Sequence, residues 1–422
     1  MRIKQVRVTP IAFRDPPLLN ASGIHEPYAL RSILEVESAS GIVGLGETYG
    51  DAATLSVLTR AAQELPGLDV YDLNGLRLRI SAAIDRTDVR VEGGAELAPG
   101  SHPAKRMANA YSAFEVAFLD LQARSLGVPL VMLLGGAVRR EVPFSAYLFF
   151  KYAEHIDRPY PADGWGEALT DGQIVDQARQ MVDRYGFGSI KLKAGVFPPE
   201  HEAACIKALR RAFPNHPLRI DPNANWSVDT AVRVADMIGA DIEYYEDPTA
   251  GLEGMAELHR RTGTALATNM VVTDADEFRR NVDLGAVQII LADHHYWGGL
   301  RDTQTLARMC ATFGLGVSMH SNSHLGISLM AMAHVAAAVP NLGYACDTHY
   351  PWQDEEVIAG GKLPIVAGCV RIPDAPGLGV DLDRERLRAL HEQFLAIDIR
   401  SRDDTRQMRR YDSNWQSAKP RF

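Results

Sequence analysis

Short apolar runs separated by glycine and acidic breaks fill the first sixty positions and predict strands over residues 3–13, 32–37 and 42–48. Between the first two runs lies a polar, turn-rich stretch, residues 14–28 (RDPPLLNASGIHEPY), which reads as a long loop and a lid. Residues 52–126 favour helices. In residues 107–126 apolar positions recur at three and four, and the pattern stops before Gly127 and Pro129. The GLGETYG segment, residues 44–50, lacks the third glycine of a phosphate loop in the right place and reads as a hairpin turn.

From about residue 140 short apolar runs alternate with helical patterns: FSAYLFF, SIKLKAG, LRIDPNAN, EYYEDP, ALATNM, QIILADHH and GVSMHSN. Such alternation predicts βα units around a parallel sheet. Polar residues close these runs at regular intervals: 28 positions from Lys193 to Asp221, then 25 to Glu246, 23 to Asn269, 24 to Asp293, 27 to His320 and 27 to Asp347. Each interval suits one strand, one loop and one helix. An eight-fold (β/α) barrel gathers such groups in a ring on one face, whereas a doubly wound sheet strings them along an edge. The α/β barrel is therefore the expected fold.

Composition narrows the class. The 422 residues carry 44 Lys+Arg against 53 Asp+Glu, a net charge of −9, with no basic run, which argues against nucleic acid or an anionic membrane as partner. The most apolar stretch, residues 327–339, contains Ser328 and His334 and is too short to span a bilayer. The N-terminus shows no secretory pattern. Four scattered cysteines (Cys205, Cys310, Cys346, Cys369) imply neither disulfides nor a zinc site. A cytoplasmic location and a homo-oligomer are expected.

Three oxygen-bearing residues on consecutive units, Asp221, Glu246 and Asn269, suit a hard cation such as Mg²⁺. Any one of them could equally cap a helix; three in succession argue for a shared task. Lys191 and Lys193, two apart in a strand, share a face, and inside a barrel each would lower the other's pKa, suiting one to act as a base. Asp293 and His320 suit a carboxylate–imidazole dyad, with a His320/His324 metal pair as the alternative.

Together KLK, DPN, EDP, TN, LAD and HSN resemble the enolase superfamily, and within it the glucarate dehydratases of the mandelate racemase-like branch. The similarity runs nearly end to end, through NASGIHEPYALR, LGVPLVMLLGG, AYLFF, CDTHYPW and PGLGV…RDD, with KAG in place of the family's KGG. The resemblance implies an N-terminal α+β capping domain (residues 1–133, lid about 14–28). It also implies a modified (β/α)₈ TIM barrel (134–375) and a C-terminal segment (376–422) returning to the cap. It implies Mg²⁺ on Asp221, Glu246 and Asn269, and bases at Lys193 and the His320–Asp293 pair. Lys191 and Asn223 would assist, and substrate would meet Asn20, His25, Tyr147, Phe149, Ser321, Asn322, His349 and Arg402. The implied reaction is dehydration of an aldaric acid, D-glucarate or L-idarate, to 5-dehydro-4-deoxy-D-glucarate. Another acid sugar, epimerisation, or a non-catalytic barrel are the alternatives.

Overall fold

The computed structural model describes residues 1–85, 105–156, 163–239 and 242–422. The chain begins with β1 (Ile3–Arg14), β2 (Leu19–Asn20), β3 (Gly23–Ile24), β4 (Tyr28–Ser38) and β5 (Val43–Tyr49). Helices α1 (Ala52–Glu64), α2 (Leu73–Asp85) and α3 (Arg106–Leu126) follow. β1, β4 and β5 make an antiparallel sheet in that order.

Two expectations need correction here. Residues 14–28 are not an open loop: β2 and β3 pair within them as a short hairpin, and nearly every residue is buried. The segment 44–50 is not a hairpin turn but lies mostly within β5, in register with β4 from Glu37↔Val43 to Arg31↔Tyr49. Its glycines serve packing. A Cβ on Gly44 would stand 2.0 Å from the carbonyl oxygen of Ala117, and one on Gly46 2.2 Å from that of Ala113. Only glycine lets α3 lie this close to the strand.

After β6 (Glu141–Pro143) come β7 (Ala146–Phe149), α4 (Asp171–Tyr185), β8 (Ile190–Lys193), α5 (Pro199–Ala212), β9 (Leu218–Asp221) and α6 (Val228–Ile238). The alternation continues with β10 (Tyr244–Glu246), α7 (Gly251–Thr262), β11 (Leu266–Thr268), α8 (Ala275–Leu284) and β12 (Ile289–Ala292). The short α9 (His294–Trp297), α10 (Leu300–Phe313), β13 (Gly316–Met319) and α11 (Gly326–Ala338) complete it. Strands β7 to β13 form one parallel sheet in sequence order. Residues 342–347 occupy the gap between its edges. Asp347 N donates to Met319 O at 2.9 Å on one side, and Cys346 N to Pro143 O at 2.8 Å on the other. The sheet thus closes as a modified TIM barrel, with parallel bridges at Val317↔Leu342 and Phe144↔Cys346.

Side chains fill the barrel in layers, as the two-residue period of each strand requires. Tyr147, Lys191, Arg219 and Tyr244 are register partners in one layer, and Phe149, Lys193 and Asp221 in the next. Helix α11, the apolar stretch 327–339, is buried on all sides against neighbouring elements, which explains its lack of a polar face. Among the described residues no helix is long and apolar enough to cross a membrane.

The tail comprises β14 (Cys369–Arg371), α12 (Arg384–Ala396) and α13 (Asp404–Met408). Helix α12 lies on β1, where Gln393 Nε2 donates to Ala12 O at 2.8 Å. Helix α13 rests on β3, where a Cβ on Gly23 (φ +148°) would be 2.4 Å from Asp404 O.

Candidate active site

A cavity opens above the C-terminal ends of the barrel strands, walled by Asn20, His25, Arg31, Lys193, Asn269 and His320 among others. The polar residues expected there arrive by one local rule. Asp221 and Glu246 are the last residues of β9 and β10, while Asn269, Asp293 and His320 each directly follow β11, β12 and β13. The backbone turns sharply beyond these points: Asn223, Ala224 and Asp247 hold φ of 56°, 60° and 39°. Left-handed conformations at non-glycine residues cost energy and persist where surrounding contacts hold them. Asp247 provides such contacts, accepting from Asn269 N at 2.9 Å and from the Thr268 hydroxyl.

Beneath the cavity lies a buried charge cluster. Lys193 Nζ donates to Asp221 Oδ2 (2.7 Å) and Asn223 Oδ1 (2.6 Å), and Tyr147 donates its hydroxyl to the same Asp221 oxygen at 2.9 Å. Lys191 is completely buried, donates to Asp347 Oδ2 at 2.6 Å and touches Glu246. Here the expectation of two lysines depressing each other is overturned for Lys191. Burial would lower its pKa, but Asp347, Glu246 and Asp221 outweigh burial and raise it. Lys191 is a fixed cation below the floor and not part of the cavity wall. Burial works against ionising Asp221, but Lys193 and Lys191 prevail and bring its pKa down to about 2.

The carboxylates outnumber their cations. Asp221, Glu246, Asp247 and Asp347 are all buried, facing Lys191, Lys193 and Arg219, and Arg219 also serves Glu243 at 2.5 Å. Burial first, with Asp221, Asp347 and Asp247 adding like charge, pushes the Glu246 carboxyl well above its ordinary value. Its Oε2 lies against Lys191 Nζ, and Asn269 Nδ2 reaches its Oε1 at only 3.3 Å. Surplus buried negative charge beside oxygen donors on three adjacent strands fits a hard divalent cation.

Asp293 and His320 form the expected dyad, Nδ1 to Oδ2 at 3.1 Å, which leaves His320 Nε2 as the unengaged nitrogen of a cavity-lining ring. Burial opposes ionisation of Asp293, but His295 and His320 hold its carboxyl well below the usual range. His324 is buried and off the cavity wall, with its Nε2 3.9 Å from Asp293 Oδ2. Strands β8 and β13 are separated by four strands in one direction around the ring, so Lys193 and His320 enter the cavity from different sides.

The remaining expected residues divide. Asn20, His25, Tyr147, Phe149, Asn223, Asn322, His349 and Arg402 line the cavity; Ser321 does not, being fully buried with no hydrogen bond to its hydroxyl. Ser323 takes that place, and its N–H donates to His349 Nδ1 at 3.2 Å. Burial, followed by nearby His25, keeps the His349 pKa well down. Tyr147, Phe149 and His349 pack as an aromatic wall with centroids 4.6–5.1 Å apart. Arg402 is less free than expected: Asp404 takes both Nε (2.8 Å) and Nη2 (2.7 Å).

Sequence reasoning missed Arg31, Tyr49, Asp51 and Asp404 on the wall. Arg31, a cation inside the apolar run YALRSILEV, was the visible signal. It pairs with the buried Glu47 at 2.8 Å, and Glu47 in turn accepts from Leu325 N and Ser328 N at 2.9 and 2.8 Å. The capping sheet thereby holds the loop that follows His320.

Comparison with known proteins agrees with this architecture. Residues 5–135 match the model of the mandelate racemase / muconate lactonizing enzyme N-terminal domain, and residues 173–386 the enolase C-terminal domain-like model. The chain is 52% identical to a probable glucarate dehydratase of Streptomyces coelicolor, over 98% of this chain and 97% of that one. A solved enolase from Pseudomonas fluorescens Pf0-1, with bound magnesium, potassium and tartrate, is 69% identical with a TM-score of 0.98, covering 100% and 99% of the two chains. An enolase from Thermobispora bispora, complexed with magnesium and formate, is 50% identical with a TM-score of 0.95 and full coverage of both. With its cap, its barrel and both family models matched in order, the chain belongs to the enolase superfamily, in the mandelate racemase / muconate lactonizing enzyme group.

Proposed function

We propose that this protein is a Mg²⁺-dependent acid-sugar dehydratase acting on D-glucarate and its C5 epimer L-idarate, with 5-dehydro-4-deoxy-D-glucarate as product. In this reading residues 134–375 form the catalytic barrel, and residues 1–133 and 376–422 close over it. One observation carries the proposal: Lys193 and His320 enter a single cavity from different sides, and the buried carboxylates of Asp221 and Glu246 lie behind its wall, against Lys193 and Asn269. The relative named a probable glucarate dehydratase, and tartrate, a hydroxylated diacid, in a close structural neighbour, support the substrate class.

A proton beside a carboxylate is weakly acidic, so removing it requires a base and stabilisation of the charge that develops. Asp221, Glu246 and Asn269 would hold Mg²⁺, which when bound supplies positive charge to the substrate carboxylate. Lys191, a permanent cation under the floor, adds to that field. His320 Nε2 takes the C5 proton of D-glucarate, and Lys193 that of L-idarate. The C4 hydroxyl then leaves as water, with its proton supplied by protonated His320. Asp293 keeps the imidazole oriented throughout. His25 and Arg402 line the wall and suit the distal end of a diacid.

Incubation of a panel of acid sugars with and without Mg²⁺, followed by assay of keto-acid, tests this reading. Mg²⁺-dependent keto-acid from D-glucarate and L-idarate is expected. Proton exchange without keto-acid would make the enzyme an epimerase, and silence across the panel would sink a dehydratase assignment.

A further inference from the structure

His295 is fully buried and off the cavity wall, and the scheme above gives it no task. Its ring nitrogens face two oxygens: Nδ1 lies 2.8 Å from Asp293 Oδ1, and Nε2 3.1 Å from the main-chain oxygen of Glu47. Both oxygens can only accept. The Asp293 carboxylate also receives His295 N–H at 2.9 Å and His320 Nδ1 at 3.1 Å, and a carbonyl has no proton to offer. A neutral imidazole has one N–H and would turn a lone pair toward one of these oxygens. The third neighbour does not remove the conflict. Ser328 Oγ accepts from Arg31 Nη2 at 3.1 Å and lies 3.3 Å from both Nε2 and Glu47 O; even with its proton turned to Nε2, the lone pair there would still face Glu47 O at 3.1 Å.

We propose that His295 is a positioning residue that stays doubly protonated, an imidazolium held between Asp293 and the Glu47 carbonyl, and that it tempers the hold of Asp293 on His320. A lone carboxylate at His320 Nδ1 strengthens the affinity of Nε2 for a proton; a cation on the other carboxylate oxygen opposes this. His320 then takes a proton and releases it again with little bias, as a group serving first as base and then as acid must. This consequence rests on the proposed role of His320, whereas the protonation of His295 rests on geometry alone.

Other ionisable groups face His295 from every side. His294 and His324 pack at a tilt against its ring, with centroids 4.0 and 5.0 Å away, and burial keeps both neutral. Tyr49 of β5 meets the ring edge-on at 5.6 Å, and the Arg31–Glu47 pair lies beyond Ser328. Asp293, His294 and His295 stand close enough together to suggest a metal site, but neither nitrogen of His295 is free to ligate.

Neutron diffraction from the deuterated wild-type protein at neutral pH reads the protonation directly. Deuterium on both nitrogens of His295 is expected; one bare nitrogen overturns the proposal, whatever the substrate. The second arm follows His320 by NMR titration in the wild type and in His295→Gln. Loss of the cation is expected to raise the His320 titration midpoint by about one pH unit, and an unmoved midpoint overturns the coupling. If His295→Gln does not fold, His295→Asn is titrated in its place, with the same expected rise and the same overturning result. Neither arm requires turnover, so failure here is distinct from failure of the dehydratase assignment.

Discussion

The guanidinium of Arg402 and the carboxylate of Asp404 meet in a two-point ion pair, Nε to Oδ1 at 2.8 Å and Nη2 to Oδ2 at 2.7 Å. Asp404 also accepts from Asn20 Nδ2 at 2.6 Å, so one carboxylate ties the tail to the β2–β3 hairpin over the cavity. Burial alone would raise the Asp404 pKa, but Arg402 and then His25 bring it down, and the carboxylate is a standing counter-charge.

This pairing fixes the plane of the guanidinium, which a lysine cannot reproduce. Arg402→Lys is expected to weaken diacid substrates by about tenfold to a hundredfold in kcat/KM, the worth of one charged hydrogen bond. Monoacids should lose much less. Steady-state kinetics on matched diacids and monoacids check this, and equal losses would make Arg402 a purely structural link.

Asn269 directly follows β11, with its Nδ2 3.3 Å from Glu246 Oε1. Its amide oxygen is the third donor of the proposed cation site, and its main-chain N–H is already secured by Asp247 at 2.9 Å. Asn269→Ala should therefore keep the loop in place while weakening Mg²⁺ binding and nearly abolishing turnover. Titration calorimetry with Mg²⁺ alone measures the affinity, and an unchanged value rules out Asn269 as a ligand.

A third expectation concerns stability and pH. His334 in α11 is fully buried; Val131 N donates to its Nδ1 at 3.2 Å and its Nε2 contacts Leu378 O at 3.1 Å. This pattern demands the neutral ring, and burial lowers its pKa to about 4. An unfolded histidine takes its proton near pH 6.5. Between these values the unfolded state binds more protons, so stability is lost as pH falls through the window, by about 3 kcal/mol at most. His334→Gln can keep both hydrogen bonds without titrating. Denaturant midpoints at pH 7.5 and 4.5 should fall further for the wild type than for the variant; parallel losses would show that His334 does not titrate in this range.

The ring of catalytic-face residues is legible in sequence because each closes an apolar run at the repeat of one βα unit, and strand ends are where a barrel exposes its side chains. Asp221, Glu246, Asn269, Asp293 and His320 all obey that rule. What is not legible comes from contacts between distant segments. Glu47 and His295 meet across 248 positions, and nothing local to either predicts it. The glycines of GLGETYG answer to the backbone of α3, and their meaning emerges only once that helix is docked. Lys191 reads as a depressed base from its neighbour alone, but three carboxylates from β9, β10 and the closing segment reverse the sign.

The last expectation separates the two bases. Lys193 on β8 and His320 after β13 come to the cavity from different sides, so each should exchange the C5 proton of one configuration only. His320 should serve D-glucarate and Lys193 L-idarate, while both substrates need His320 as the acid for the departing hydroxyl. In D₂O, Lys193→Ala should still dehydrate some D-glucarate, slowed because Lys193 also anchors Asp221 at 2.7 Å. His320→Asn should dehydrate neither substrate yet still exchange the C5 proton of L-idarate through Lys193. Proton NMR of the recovered substrates measures both. Exchange of D-glucarate by His320→Asn at the wild-type rate would mean that another group removes that proton, and the two-base arrangement would be wrong.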